Sequence, residues 1–143
     1  TFSKAYGLAG VRIGYGFAHD SLIKNLMKVK APFEPSLIAQ VAGLAALDDE
    51  AFLAETLQVN EKGMDFLKQE FDALNIHQVP SEANFITTVW DSEEKASQLT
   101  QSLLENGVIV RQLTGFGWPN CIRISVGLDS ENQKFIDSLK DIL

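Results

Sequence analysis

Only three arginines occur in the 143 residues, Arg12, Arg111 and Arg123, and each stands in apolar, strand-like text: VRIG, VIVRQL and CIRISVG. A guanidinium flanked by valine and isoleucine cannot easily reach water, so it calls for an anionic partner, and its planar fork suits a carboxylate or a phosphate. Taken singly, each could instead point outward from an edge strand or pair with a surface glutamate. Three arginines in such settings favour anion binding. The nine lysines lie mostly in helical or loop stretches open to solvent, with one exception. Lys4 sits in SKAYGLAG, ahead of a glycine-rich turn, with the hydroxyls of Thr1 and Ser3 just before it. An amine held in a partly desolvated pocket can act as nucleophile or base, whereas a lone solvated lysine does neither. Other constellations carry less. Gly14 to His19 (GYGFAH) lacks the third glycine of a dinucleotide fingerprint and is rejected as one. His19 and His77 have no companion at metal-ligand spacing, so no metal is expected, and Cys121 reads as a buried structural thiol. Phe116, Trp118 and Pro119 could line a substrate pocket or anchor a loop.

These side chains need elements to hold them. Val11, Ile13, Tyr15 and Phe17 alternate after the Gly7–Gly10 turn, which predicts a strand, and Gly14 and Gly16 on its other face imply close packing there. Asp20 or Ser21 can cap a following helix bearing Leu22, Ile23, Leu26 and Met27, which Pro32 and Pro35 end. Ser36 caps a run from Leu37 to Leu47 that is apolar nearly all round, predicting a buried or interface helix. The acids Asp48, Asp49 and Glu50 mark a junction into a longer helix carrying Phe52, Leu57, Met64, Leu67, Phe71 and Leu74, a little weakened by Gly63. The remainder predicts strands at 77–80, 83–90, 108–113 and 121–128, a turn-rich GFGWPN loop, and helices at 92–106 and 130–143, the first closed by Gly107. The expected architecture is α/β, helices packed on one side of a mixed or antiparallel sheet.

Composition narrows the function. A net charge of −7 argues against a broad nucleic-acid footprint, so any anion must be held locally. The charge-free run from Ser36 to Leu47 is too short for the ~20 apolar residues of a membrane span. One cysteine excludes an internal disulfide framework and fits a reducing compartment, here taken as the cytoplasm. The sequence opens on Thr1 without methionine or leader, and we expect it to be the later part of a longer protein.

The opening TFSKAYGLAGVRIGYG resembles the cofactor-lysine segment of fold-type I pyridoxal-phosphate aminotransferases, and among them the histidinol-phosphate aminotransferases. The resemblance continues through KAPFEPSLIAQVAGLAALDD, PSEANFI and ENGVIVRQLTGFGWPNCIRISVG, nearly the whole chain. It implies pyridoxal 5'-phosphate as cofactor, joined to Lys4, with Thr1, Ser3 and Arg12 on its phosphate. It also implies that Arg123 grips the anionic end of the substrate and that Arg111 is a second contact, to a substrate phosphate. Lys4 would then move the α-proton, as base and afterwards as acid. Residues 1–51 would be the end of the large cofactor-binding domain and its crossing segment, and 52–143 the small C-terminal domain.

The resemblance further implies transamination between histidinol phosphate and 2-oxoglutarate in histidine biosynthesis, by a homodimer. Family members carry an aspartate on the pyridine nitrogen and an aromatic residue on the ring, both expected upstream of Thr1. The 143-residue chain alone is therefore expected to lack transaminase activity. Two other readings remain: an aromatic or phenylalanine aminotransferase, and a non-catalytic α/β binding module whose lysine and arginines are structural.

Overall fold

Helix starts follow the side chains that can satisfy free backbone N–H groups. Ser36 Oγ accepts from Ala39 N at 3.2 Å to open α2 (Leu37–Asp48), and Asp49 Oδ1 accepts from Phe52 N at 3.0 Å at the start of α3 (Glu50–Ala73). Ser92 Oγ accepts from Lys95 N at 3.2 Å to open α4 (Glu93–Glu105), beyond which Gly107 takes φ +72°. The helix α1 (Asp20–Val29) departs from expectation: its cap is His19, whose Nδ1 accepts from Ser21 N at 3.3 Å, rather than Asp20 or Ser21. Imidazole reaches the same donor that a serine would have served. The last helix, α5 (Asp129–Ile142), is opened by Glu131, whose carboxylate accepts from Leu128 N at 2.8 Å.

The computed structural model describes residues 1–143, which divide into two units, Thr1–Leu57 and Gln58–Leu143, the boundary falling within α3. The second unit holds one antiparallel sheet in the order β1-β2-β4-β3, formed by Gln78–Val79, Phe85–Val89, Trp118–Ser125 and Arg111–Leu113 in that order. Pairing of Ile86 with Ile124 and of Thr88 with Ile122 puts these four on one face. They join Leu67 and Phe71 of α3, Leu99 and Leu103 of α4, and Ile136 and Leu139 of α5 in a single core. Thr88 is fully buried yet satisfied, its hydroxyl donating to Ile122 O at 3.3 Å and accepting from Trp90 Nε1 at 3.0 Å. Gly63 has a packing role in α3: a Cβ there would lie 2.9 Å from Asn132 Nδ2 and nearer still to Val126. Trp118, Pro119 and Asn120 belong to β4 rather than to a loop. Pro119 is tolerated because pairing with β2 begins only at Cys121, so its missing N–H leaves no ladder bond unmade on that side.

In the first unit the predicted strand over 11–17 does not form. Ala9–Val11 is a single 3-10 turn and the residues after it join no sheet. Alternation marks a strand only where a neighbouring strand supplies partners, and within this chain Ile13 O accepts one bond, from Phe2 N at 3.2 Å. The run Leu37–Leu47 is helical as expected, yet Leu37, Ile38, Val41 and Leu44 are exposed and only Ala39 and Gly43 are buried.

Candidate functional site

The Lys4 turn is anchored by the aromatic residue beside it. Phe2 is buried, its ring 4.9 Å from that of Tyr6 and 5.9 Å from that of Tyr15. Its backbone bonds Ile13 O and, at 3.0 Å, Leu8 N. Thr1 Oγ1 donates to Ser3 Oγ at 2.9 Å and accepts from Ser3 N at 3.1 Å, so the two hydroxyls share one small cluster. Gly14 makes room for it, because a Cβ there would lie 3.2 Å from Thr1 Cα; Gly16, paired with it in the sequence reading, faces open space. Lys4 itself is exposed rather than desolvated.

Arg12 is not inside a strand. It ends the 3-10 turn in the left-handed region, φ 56° and ψ 58°, and its Nη1 donates to Ala9 O at 2.7 Å. A non-glycine residue there stores about 1–3 kcal/mol, strain that collects at ligand-binding turns. Since Phe2 bonds to Ile13, the residue after Arg12, the backbone ties the hydroxyl turn to the arginine turn. The two clustered hydroxyls, the exposed guanidinium and the exposed amine are donor types that suit a phosphate and an aldehyde.

The other two arginines lie in the second unit and meet directly. Arg111 on β3 pairs with Arg123 on β4, and Thr87 on β2 pairs with Arg123, so the three form a row across the sheet. This face is opposite the helices, since Ile122 and Ile124 on either side of Arg123 point into the core. Like charges directly opposite each other are unfavourable by about 0.2–1 kcal/mol. No carboxylate neutralises them, for the chain's one salt bridge joins Lys140 to Glu70 at 2.6 Å. Both arginines also border a cleft of about 710 Å³ that reaches Glu131, Asn132, Lys134 and Phe135 of α5, and its one acid, Glu131, is engaged by Leu128 N. Arg123 Nε is buried without a hydrogen-bond acceptor. An oxyanion would satisfy it and relieve the repulsion.

Aromatic rings flank the pair: Arg111 lies over Phe116 with 5.6 Å to the centroid, and Arg123 over Phe85 with 5.3 Å. Phe116 is a pocket candidate from the sequence, and Phe85 is not. Its signal is its place two residues before Thr87 on the same strand face.

A family model described as aminotransferase class I and II matches residues 1–139. Histidinol-phosphate aminotransferase of Moorella thermoacetica is 43% identical over 143 residues, covering 100% of this chain and 36% of that protein. Histidinol-phosphate aminotransferase 1 of Thiobacillus denitrificans is 44% identical over 144 residues, with the same shares. Among solved structures, histidinol-phosphate aminotransferase from Sinorhizobium meliloti in complex with pyridoxal-5'-phosphate superposes with a TM-score of 0.89 at 28% identity, over 99% of this chain and 39% of that one. A Thermus thermophilus aspartate aminotransferase mutant does so at 0.83 and 28% identity, over 98% and 41%. The chain thus spans well under half the length of the relatives it matches.

Proposed function

Because the chain belongs to the aminotransferase class I and II family, we propose that it supplies the lysine-bearing turn and the substrate-anion strands of a pyridoxal-phosphate-dependent transaminase. Its amino donor on this reading is histidinol phosphate and its acceptor 2-oxoglutarate. The observation that carries the proposal is the direct pairing of Arg111 with Arg123, two cations on the helix-free sheet face with no acid between them.

Pyridoxal phosphate, when bound, supplies an electron sink for the charge left by a departing α-proton. Thr1, Ser3 and Arg12 would hold its phosphate, and Lys4 would be the lysine that carries it. Lys4 Nζ takes the α-proton as general base and returns it as general acid. Arg123 receives the donor's phosphate, which is its anionic end, and Arg111 is a second contact to it, so orientation is set by charge-assisted bonds rather than by shape alone. With the chain covering 36% of the Moorella relative and 39% of the Akkermansia one, we assign turnover to the complete protein and none to these 143 residues. Residues 1–51 would end the large domain and residues 52–143 form the small one. Exposed Leu37, Ile38, Val41 and Leu44 on α2 support self-association as a homodimer, and the single cysteine supports a cytoplasmic workplace.

Borohydride reduction of the complete protein after addition of pyridoxal phosphate tests the reading. Peptide mapping should find the label on Lys4; label spread over other lysines with Lys4 spared would favour a non-catalytic module. Exposed Phe116, over which Arg111 lies, favours a second reading, an aromatic amino-acid donor. Arg111→Ala separates the two. It should weaken a phosphorylated donor by about 10–100-fold and leave phenylalanine nearly unchanged, while equal losses would select the aromatic donor.

A further inference from the structure

Arg123 presents an orientation problem. It sits directly opposite Arg111, like charges repel, and no acid pins it. A long side chain so placed has several rotamers that turn its fork away. What constrains it is Phe85, on the adjacent strand β2 and diagonal to it across the ladder, since Thr87 pairs with Arg123 and Phe85 with Ser125. The guanidinium lies over this ring at 5.3 Å, within cation–π range, and Phe85 is half-buried. The corresponding ring at Arg111, Phe116, is 64% exposed and a weaker anchor. Stacking leaves the in-plane N–H donors free, because the ring takes only a face of the guanidinium.

We propose that Phe85 is a positioning residue: its ring fixes the plane of the Arg123 guanidinium and so aims the fork at the anionic end of the substrate. This rests on the reading of Arg123 as a substrate-anion residue. The role needs an aromatic face, not merely an apolar side chain of that size.

The experiment uses the complete protein and its phosphorylated amino donor. Phe85→Leu should raise KM about three- to fivefold with kcat nearly unchanged, Phe85→Met should do the same, and Phe85→Tyr should restore KM. In an Arg123→Gln background, Phe85→Leu should add nothing. With arginine-selective 15N labelling, the Arg123 Nε–H resonance should be shifted by the ring current of Phe85 in the parent and in Phe85→Tyr, and lose that shift in Phe85→Leu. A KM increase that persists undiminished in the Arg123→Gln background, or fails to be rescued by tyrosine, overturns the proposal. If Arg123→Gln by itself leaves KM unchanged, the substrate-anion reading of Arg123 fails and takes the role of Phe85 with it. A KM rise for Arg123→Gln with none for Phe85→Leu and Phe85→Met spares that reading and rejects only the positioning role.

Discussion

Within Gln58–Leu143, Phe71, Leu67, Ile86, Leu99, Leu103, Ile136 and Leu139 are fully buried, whereas in Thr1–Leu57 the buried apolar side chains are Phe2 and Ala39 alone. Each side chain of the first group removed from water contributes about 1.5–3 kcal/mol, so the second unit encloses a core of its own. The first unit is organised locally, by Phe2 and the turns it ties, while Phe17, Phe33, Leu37 and Ile38 stay largely exposed. The difference bears on function. Arg111 and Arg123 ride on a sheet stiffened by a closed core, and Lys4 and Arg12 ride on turns held by one buried ring and a few backbone bonds.

The sharpest way to break this comparison is to remove one large side chain from each unit. Phe71→Ala should cost about 3–5 kcal/mol, because it opens a cavity among α3, α5 and the sheet, where Phe71 meets Phe135 edge-on at 6.0 Å. Phe33→Ala, at a position 95% exposed, should change stability by no more than about 0.5 kcal/mol. Urea unfolding followed by circular dichroism, and by the fluorescence of Trp90 and Trp118, both in the second unit, measures the two. Equal losses would mean that the units do not differ in the way described.

The same contrast explains what the sequence made legible. The end of helix α4 could be read from Gly107, and the core face of α3 from Leu67 and Phe71, because each signal is satisfied by residues of the same unit. The alternation over Val11–Phe17 misled, since a strand's existence is decided by a partner and none in this chain pairs with it. The strand expected at Arg12 fails for the same reason, and its left-handed turn has no composition signal at a non-glycine position. Arg111 and Arg123 stood out by type and setting, but their direct opposition could not be foreseen, because register is a property of two strands together.

A smaller effect probes how tightly each unit is packed around a helical glycine. In an open helix Gly→Ala is favourable by about 1 kcal/mol. At Gly43 in α2 the new methyl would meet Ile13 Cδ1 at 2.9 Å, the end of a flexible side chain that can swing aside, so Gly43→Ala should be near neutral. At Gly63 it would strike Val126, a stiff β-branched residue, and Asn132, which is clamped by bonds of 2.9 and 3.0 Å to Gly127. Gly63→Ala should therefore destabilise by about 1–3 kcal/mol. Matched melting curves of the two variants compare them, and a neutral Gly63→Ala would show the second unit looser than its burial implies.

The smallest effect concerns the start of α4. There the Glu94 carboxyl is held below its ordinary range, first by its bond to a backbone N–H at the helix start and then by the Ser92 hydroxyl. Its folded pKa lies under the unfolded one, so the ionised group stabilises the fold above the unfolded value. That contribution fades as pH falls through the folded value. Glu94→Gln should lower Tm slightly at pH 7 and leave it unchanged in acid well below the carboxylate range, where the parent is protonated as well. Glu94 is fully exposed, so added salt should shrink the neutral-pH difference. A difference that survives protonation would assign the effect to the side chain's shape at the helix start and not to its charge.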